Sequence, residues 1–310
     1  MKRIQLTIFV AALYAVAACK KQATDNPEGG PLPIPTNATA AAAPACAPVI
    51  FNLAVDPATG FSYLYKVVGS PSAGPISVTP INGSMATNQL RLCGGTPVKF
   101  ASGLSFDPAS NTWWGTTGAA GTPANHILKF TDPNCITAIP ALNTCGLLLD
   151  LSDIERDPTS GLYYALNRGT ASPNNRVVRI GIPGANVICL PNPLSPSLFV
   201  RGLTVHVNGK LYVMAVNGTS GRLLDVNKVS GLVTATYSYP GAITPSPGVN
   251  IPEMGLHHDS ICVNRFITGN YDPIALPPLY TDGIPAGLPG GPVYSAVSGA
   301  LKPTVDWARP

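Results

Sequence analysis

Acid–base and metal chemistry require imidazoles, carboxylates or thiolates gathered in small clusters, and this sequence holds few imidazoles. Its four histidines are His126, His206, His257 and His258. Three of them fall in two short segments, LTVHVNGKLYVMA from Leu203 and GLHHDSICVNRFI from Gly255. Glu155 holds the corresponding place one repeat earlier, and Glu253 precedes the second segment. Imidazoles and carboxylates brought to one point bind a divalent metal or act as acid and base. His206, His257, His258, Glu155 and Glu253 are therefore the candidate catalytic residues. Successive side chains on a strand point to opposite faces, so His257 and His258 cannot both face one ion. The spacing favours hydrogen-bonded polar residues that fill a narrow channel. No cofactor is expected on that reading, and a divalent metal belongs to its alternative.

Other chemistries leave no trace. The sequence has no G-x-S-x-G elbow, no H-E-x-x-H, no phosphate loop with lysine and no EF-hand pattern. A glycosidase needs two carboxylates facing each other across a cleft. Asp153, Glu155, Glu253 and Asp259 could supply them, but nothing in the sequence singles out a pair. The near-neutral body, with 11% charged residues, offers no electrostatic footprint for nucleic acid.

Thiols come next. Of the seven cysteines, Cys19 stands apart at the end of an apolar run. The other six suggest up to three disulfides in an exported protein. Cys135 and Cys145 flank a Pro/Asn-rich loop and make the first choice of pair; Cys46 with Cys93 is the second. No C-x-x-C occurs, so zinc ribbons and thioredoxin-like chemistry have no support.

The chain opens MKRIQLTIFVAALYAVAACKK, with Lys2 and Arg3 ahead of eleven mostly apolar residues from Ile8 to Ala18. Such a run is too short to span a bilayer, which takes roughly 20 residues. A charged start, a short apolar core and small residues at its end mark a secretory signal. Val16-Ala17-Ala18-Cys19 resembles the lipobox of bacterial lipoproteins. That resemblance implies acylation of Cys19 and cleavage just before it, hence anchoring by membrane lipid without spanning. The absence of aspartate after Cys19, where Lys20 and Lys21 follow, implies the outer membrane of a two-membrane bacterium. Residues 1–18 are then the signal peptide. Residues 19–47, rich in Pro, Ala, Gly and small polar residues, form a tether.

Residues 48–310 form the body, about 265 residues and large enough for one all-β domain. Glycines (31) and prolines (33) favour many short strands over long helices. The body repeats. LAVDPATGFSYLY from Leu53, LSFDPASNTWWGT from Leu104 and IERDPTSGLYYAL from Ile154 place Asp56, Asp107 and Asp157 about fifty residues apart. The segments at Leu203 and Gly255 are degenerate fourth and fifth copies. Each copy continues with further strand-like stretches, such as RVVRIGIPG and LLDVNKVSG. A period near fifty with about four strands per unit is the signature of a β-propeller.

The Asp-Pro-x-x-x-Gly-Leu-Tyr pattern is similar to repeats of bacterial propeller families such as the YVTN and NHL-like proteins. It implies a fold and no particular activity. The expected architecture is five four-stranded blades, about 48–100, 101–151, 152–201, 202–250 and 251–310, with six blades as the alternative. The recurring aspartates should accept hydrogen bonds from turn amides, with Pro fixing φ. Trp113, Trp114, Tyr163, Tyr164 and Tyr212 should pack between blades. Variable loops on such a scaffold are where recognition sits. The expected function is thus a membrane-anchored binding or scaffold module with a protein or glycan ligand. A hydrolase or lyase acting on carbohydrate or lactone at the channel mouth is the alternative.

Overall fold

The computed structural model describes residues 49–56, 58–68, 76–79, 89–146, 148–168, 175–196, 198–206, 209–217, 220–239, 256–259, 265–270, 279–283, 293–298 and 304–308. Every regular element among them is a strand. Three four-stranded antiparallel meanders follow one another. The first holds β4 (Lys99–Asp107), β5 (Thr112–Thr122), β6 (His126–Phe130) and β7 (Thr137–Pro140). The second holds β9 (Leu151–Arg156), β10 (Tyr163–Arg168), β11 (Asn175–Gly181) and β12 (Asn186–Cys189), with the two-residue β8 (Leu142–Asn143) paired parallel to β12. The third holds β13 (Phe199–Val205), β14 (Leu211–Asn217), β15 (Ser220–Val226) and β16 (Val233–Tyr239).

The two ends of the body share the remaining sheet. β1 (Val49–Val55), β2 (Ser62–Val68) and β3 (Ile76–Thr79) run side by side, and β21 (Thr304–Ala308) adds to the free edge of β1. Asn52 and Leu53 there oppose Trp307 and Asp306. A further meander of β17 (Leu256–Asp259), β18 (Arg265–Asn270), β19 (Leu279–Gly283) and β20 (Val293–Ser298) joins that sheet where β20 pairs parallel to β3. First strands pack in a cycle: β21 against β4, β4 against β9, β9 against β13, β13 against β17, and β17 against β21.

Sequence pattern explains which strands sit inside. β4 carries a stretch, ASGLS, that is buried throughout and built of small or apolar residues. β11 is buried on both faces, Val177 in one core and Val178 and Ile180 in another, with Arg176 and Arg179 half-buried on opposite faces. Adjacent aromatics split between neighbouring cores because successive strand residues face opposite ways. Trp113 packs with Leu53, Leu104, Phe130 and Ala308, while Trp114 packs with Ile154, Tyr163 and Val178. Tyr164 faces a third core with Leu203, Val213 and Leu224. Tyr212 is buried as well, and four of the five rings sit in cores between sheets as expected.

The Asp-Pro turns also behave as expected. Asp56, Asp107 and Asp157 accept the amides of Ala58, Ala109 and Thr159 at 3.1, 3.1 and 2.9 Å. Gly161 closes its turn at φ 71, and Asn111, a residue that tolerates the left-handed region, does so at φ 50. The phase of the repeat differs from the sequence reading. The Asp107 and Asp157 turns follow the first strand of their sheets. The Asp56 turn joins β1 to β2, the second and third strands of a sheet whose first strand is β21. A turn of the same form, headed by Asn227, joins β15 to β16. The turn is thus a local solution to a tight hairpin and marks no fixed place in the repeat.

Two disulfides correct the expected pairing. Cys93 bonds Cys135 and Cys145 bonds Cys189, in place of Cys135 with Cys145 and Cys46 with Cys93. The cause is topological: Cys93 runs beside Ile136, with Leu92 bridged to Ile136, and Cys145 runs beside Val187 near β12. Proximity along the chain lost to proximity across it. Cys46 lies outside the described residues.

Candidate functional site in the cycle of first strands

Asp153 is the most chemically unusual residue described. Ala165 opposes Ile154 and Leu166 opposes Ser152, leaving Asp153 as an unpaired bulge at φ 50. Bulges re-aim side chains, and here the carboxylate turns onto the next first strand. Its Oδ2 accepts the Leu203 amide of β13 at 2.5 Å, and its Oδ1 accepts the amide of Ile154 at 2.7 Å. Asp306 of β21 repeats the device one step earlier in the cycle, where its Oδ2 accepts the Leu104 amide of β4 at 2.6 Å. Asn52 braces the same strand by donating to the Asp306 carbonyl at 3.0 Å.

The two carboxyl groups hydrogen-bond each other. Both residues are 1% exposed. Gly103, whose missing side chain lets β4 approach β9, lies against the Asp153 main chain. A Cβ there would lie 2.5 Å from the Asp153 carbonyl carbon. Burial pushes the Asp153 carboxyl up to about 7 against hydrogen bonds from Leu203, Asp306 and Ile154, and the Glu155 charge pushes the same way as burial. Ser102 supports the neighbouring strands by donating to the Leu151 carbonyl at 3.0 Å and sharing a hydrogen bond with Thr116.

The sequence candidates are distributed differently. Glu155 lies in β9 opposite Tyr164, half-buried, and acts on Asp153 through its charge. His206 follows β13 and occupies the place that Asp107 and Asp157 hold after their own first strands. Its main chain exchanges hydrogen bonds with Lys210 and Gly209, and its ring meets Tyr212 edge-on at 6.1 Å. It is a turn residue and lies past the end of the strand. His257 and His258 lie in β17, opposite Ile267 and Phe266, with side chains outside what is described. Glu253, like Cys19, falls outside the described residues. Among the described residues, no three His, Cys, Asp or Glu side chains gather to hold a metal ion.

The turn aspartates form a second charged layer. Asp157 is fully buried, and burial alone would raise its carboxyl. Lys228, the Ser160 and Thr159 hydroxyls and the Thr159 amide outweigh that and hold it well below the ordinary carboxylate range. Lys228 is carried on the β15–β16 turn, so this 2.5 Å ion pair ties that turn to the one after β9. Arg156 similarly meets Asp107 at 3.3 Å. Burial acts against Asp107 too, and Ser110, Ala109 and Arg156 bring it down.

Asp306 was missed by sequence reasoning, although a signal existed. Ser102-Gly103-Leu104, Ser152-Asp153-Ile154, Arg201-Gly202-Leu203, Met254-Gly255-Leu256 and Val305-Asp306-Trp307 recur at steps of 50, 49, 53 and 51 residues. Following the Gly-or-Asp position instead of the Asp-Pro turn would have placed β21 in the cycle.

No family model matches the sequence, and no curated protein does. Similar solved structures include β-propeller proteins. Virginiamycin B lyase from Staphylococcus aureus is 13% identical over 81% of this chain and 71% of that one, at a TM-score of 0.41. A protein of unknown function from Bacteroides caccae is 10% identical over 84% and 98%, at 0.46. The Dos1 propeller is 10% identical over 76% and 56%, at 0.38. None of these likenesses transfers a residue or an activity to this chain.

Proposed function

We propose that the chain is an envelope lipoprotein: a signal peptide (1–18), a tether (19–47) acylated at Cys19, and a β-propeller of five blades (48–310) that works as a binding or scaffold module. Four meanders, the set of β1 to β3 with β21, and a cycle of five first strands support the blade count, with β21 supplying the innermost strand of the blade that β1 to β3 complete. The lipobox resemblance supports anchoring by membrane lipid, and Lys20 and Lys21 in place of an aspartate after Cys19 support the outer membrane.

The observation that carries the binding reading is a pair of turns fastened together with apolar side chains facing out. The Lys228–Asp157 ion pair links the turn bearing Val229 and Leu232, 81% and 55% exposed, to the turn bearing Leu162, 39% exposed. Rigid turns presenting apolar side chains suit recognition of a protein or glycan. The buried Asp153 and Asp306 carboxyls accept main-chain amides, which suits a structural core.

The test is to screen the purified protein against glycans, lactones and envelope proteins, for binding and for turnover together. The reading expects saturable binding without turnover, lost when Val229 and Leu232 both become Asp in a variant that keeps its melting temperature. Turnover of a lactone or glycan, abolished by His258→Ala, would establish the hydrolase or lyase alternative instead. Anchoring is tested by mass spectrometry of the mature N-terminus: an acylated Cys19 is expected, with Cys19→Ala released to the soluble fraction.

A further inference from the structure

Two carboxyl groups that hydrogen-bond each other need a proton between them, since two carboxylates offer only acceptors. Asp153 and Asp306 are such a pair, each 1% exposed and 153 residues apart in sequence. Each also accepts a main-chain amide from the next first strand, Leu203 for Asp153 and Leu104 for Asp306. Four first strands, β21, β4, β9 and β13, are therefore fastened by one pair of side chains. We propose that Asp153 and Asp306 share a single proton and form a clasp that seats the C-terminal strand β21 in the ring, so that loss of this proton loosens ring closure.

The chemistry explains why the clasp has a sign. With one proton the pair carries one negative charge, and the two main-chain amides neutralise part of it. Without the proton, two buried carboxylates repel at hydrogen-bond range, and desolvation adds to the repulsion. Asp153 titrates higher when folded than when unfolded. Its contribution is complete at pH values below the ordinary aspartate range and is lost as pH rises through about 7.

Charged and titratable groups on the packed elements are few. β9 itself carries Glu155, β4 carries Lys99 and Asp107 at its ends, and β10 carries Tyr163, Tyr164 and Arg168. β13 carries Arg201 and is followed by His206; β17 carries His257, His258 and Asp259; β18 carries Arg265; β1 and β5 carry none. Of these, Glu155 acts directly on the pair, and its negative charge favours keeping the proton.

Thermal unfolding of the full chain from pH 5 to pH 9, with the Asp153→Asn and Asp306→Asn variants beside it, tests the clasp. Asparagine can accept the main-chain amide and donate permanently to the remaining carboxylate. The parent melting temperature is expected to fall between pH 5 and 8 and then level, while either variant shows a flatter profile over that range. An unchanged slope in both variants would overturn the proposal. So would a divalent cation, calcium or magnesium, that restores the parent at pH 8 but not the variants, because the pair would then be a cation site. If the variants fail to fold, hydrogen exchange of the parent decides. Segment 304–308, corrected for intrinsic rate, should lose protection between pH 6 and 8 while segment 177–180 keeps its own. Equal protection of segment 304–308 at both pH values would refute the clasp.

Discussion

Replacing Gly103 by alanine tests whether first strands pack against each other as closely as described. The added Cβ would sit 2.5 and 2.6 Å from the carbonyl and Cα carbons of Asp153 and 2.6 Å from the Ile154 nitrogen. All three are main-chain atoms, so no side chain can swing aside. Real Cβ contacts need roughly 1 Å more than this, so β4 and β9 must separate. Overpacking of this kind costs about 1–3 kcal/mol. The separation also strains the Leu104 hydrogen bond to the Asp306 carboxylate, a charged acceptor worth about 1.5–3 kcal/mol. Together the loss is about 4 kcal/mol, or roughly 10 °C in melting temperature for a domain of this size. Calorimetry of Gly103→Ala and of Gly94→Ala reads it directly. Gly94 has nothing within 4 Å of its added Cβ and should shift by less than about 0.5 kcal/mol. Equal melting temperatures for the two variants would refute the close packing of β4 on β9.

The remaining predictions concern cross-links and charge. Replacing Cys93 and Cys135 together by serine should lower stability by about 4 kcal/mol, because the bridge closes a loop with a sequence separation of 42. Peptide mapping of the unreduced protein should find Cys93 joined to Cys135 and Cys145 joined to Cys189, and a Cys135–Cys145 peptide would refute that pairing. Asp157→Asn should cost about 2 kcal/mol at neutral pH, by weakening the charged hydrogen bonds from Lys228, Ser160 and Thr159. The folded Asp157 carboxyl is held low, so its contribution exists above the ordinary aspartate range and disappears as pH falls. Below pH 4 the gap between parent and variant should therefore begin to narrow, closing only in strong acid, as read by unfolding at pH 2, 3 and 7.

Much of the architecture was legible because its causes are local. A strand, an Asp-Pro turn and an aromatic strand recur because a hairpin of that length needs a turn acceptor and a residue tolerant of positive φ. Trp113 beside Trp114 could be assigned to packing because alternation puts each in a different core. The disulfides were not legible, because cysteine spacing along the chain says nothing about which edges the fold brings side by side. Cys93 reaches Cys135 through the bridge of Leu92 to Ile136, a non-local contact. The Asp153–Asp306 pair was hidden for a related reason. Its members stand in different repeats, and the repeat was phased on Asp56, whose turn belongs to a second strand. His206 misled in the opposite way: its place beside β13 suggested a channel residue, yet it holds the turn position that aspartate holds elsewhere.

Pairing of the C-terminal strand β21 with β1 is the claim on which the rest stands, and hydrogen exchange of the unmodified full chain measures it most directly. β21 bonds to β1 across more than two hundred residues of chain, with the Asn52 side chain donating to the Asp306 carbonyl. The account predicts that segments 304–308 and 49–55 are both protected and open together as denaturant is raised. Fast exchange at 304–308 while 49–55 stays protected would contradict it.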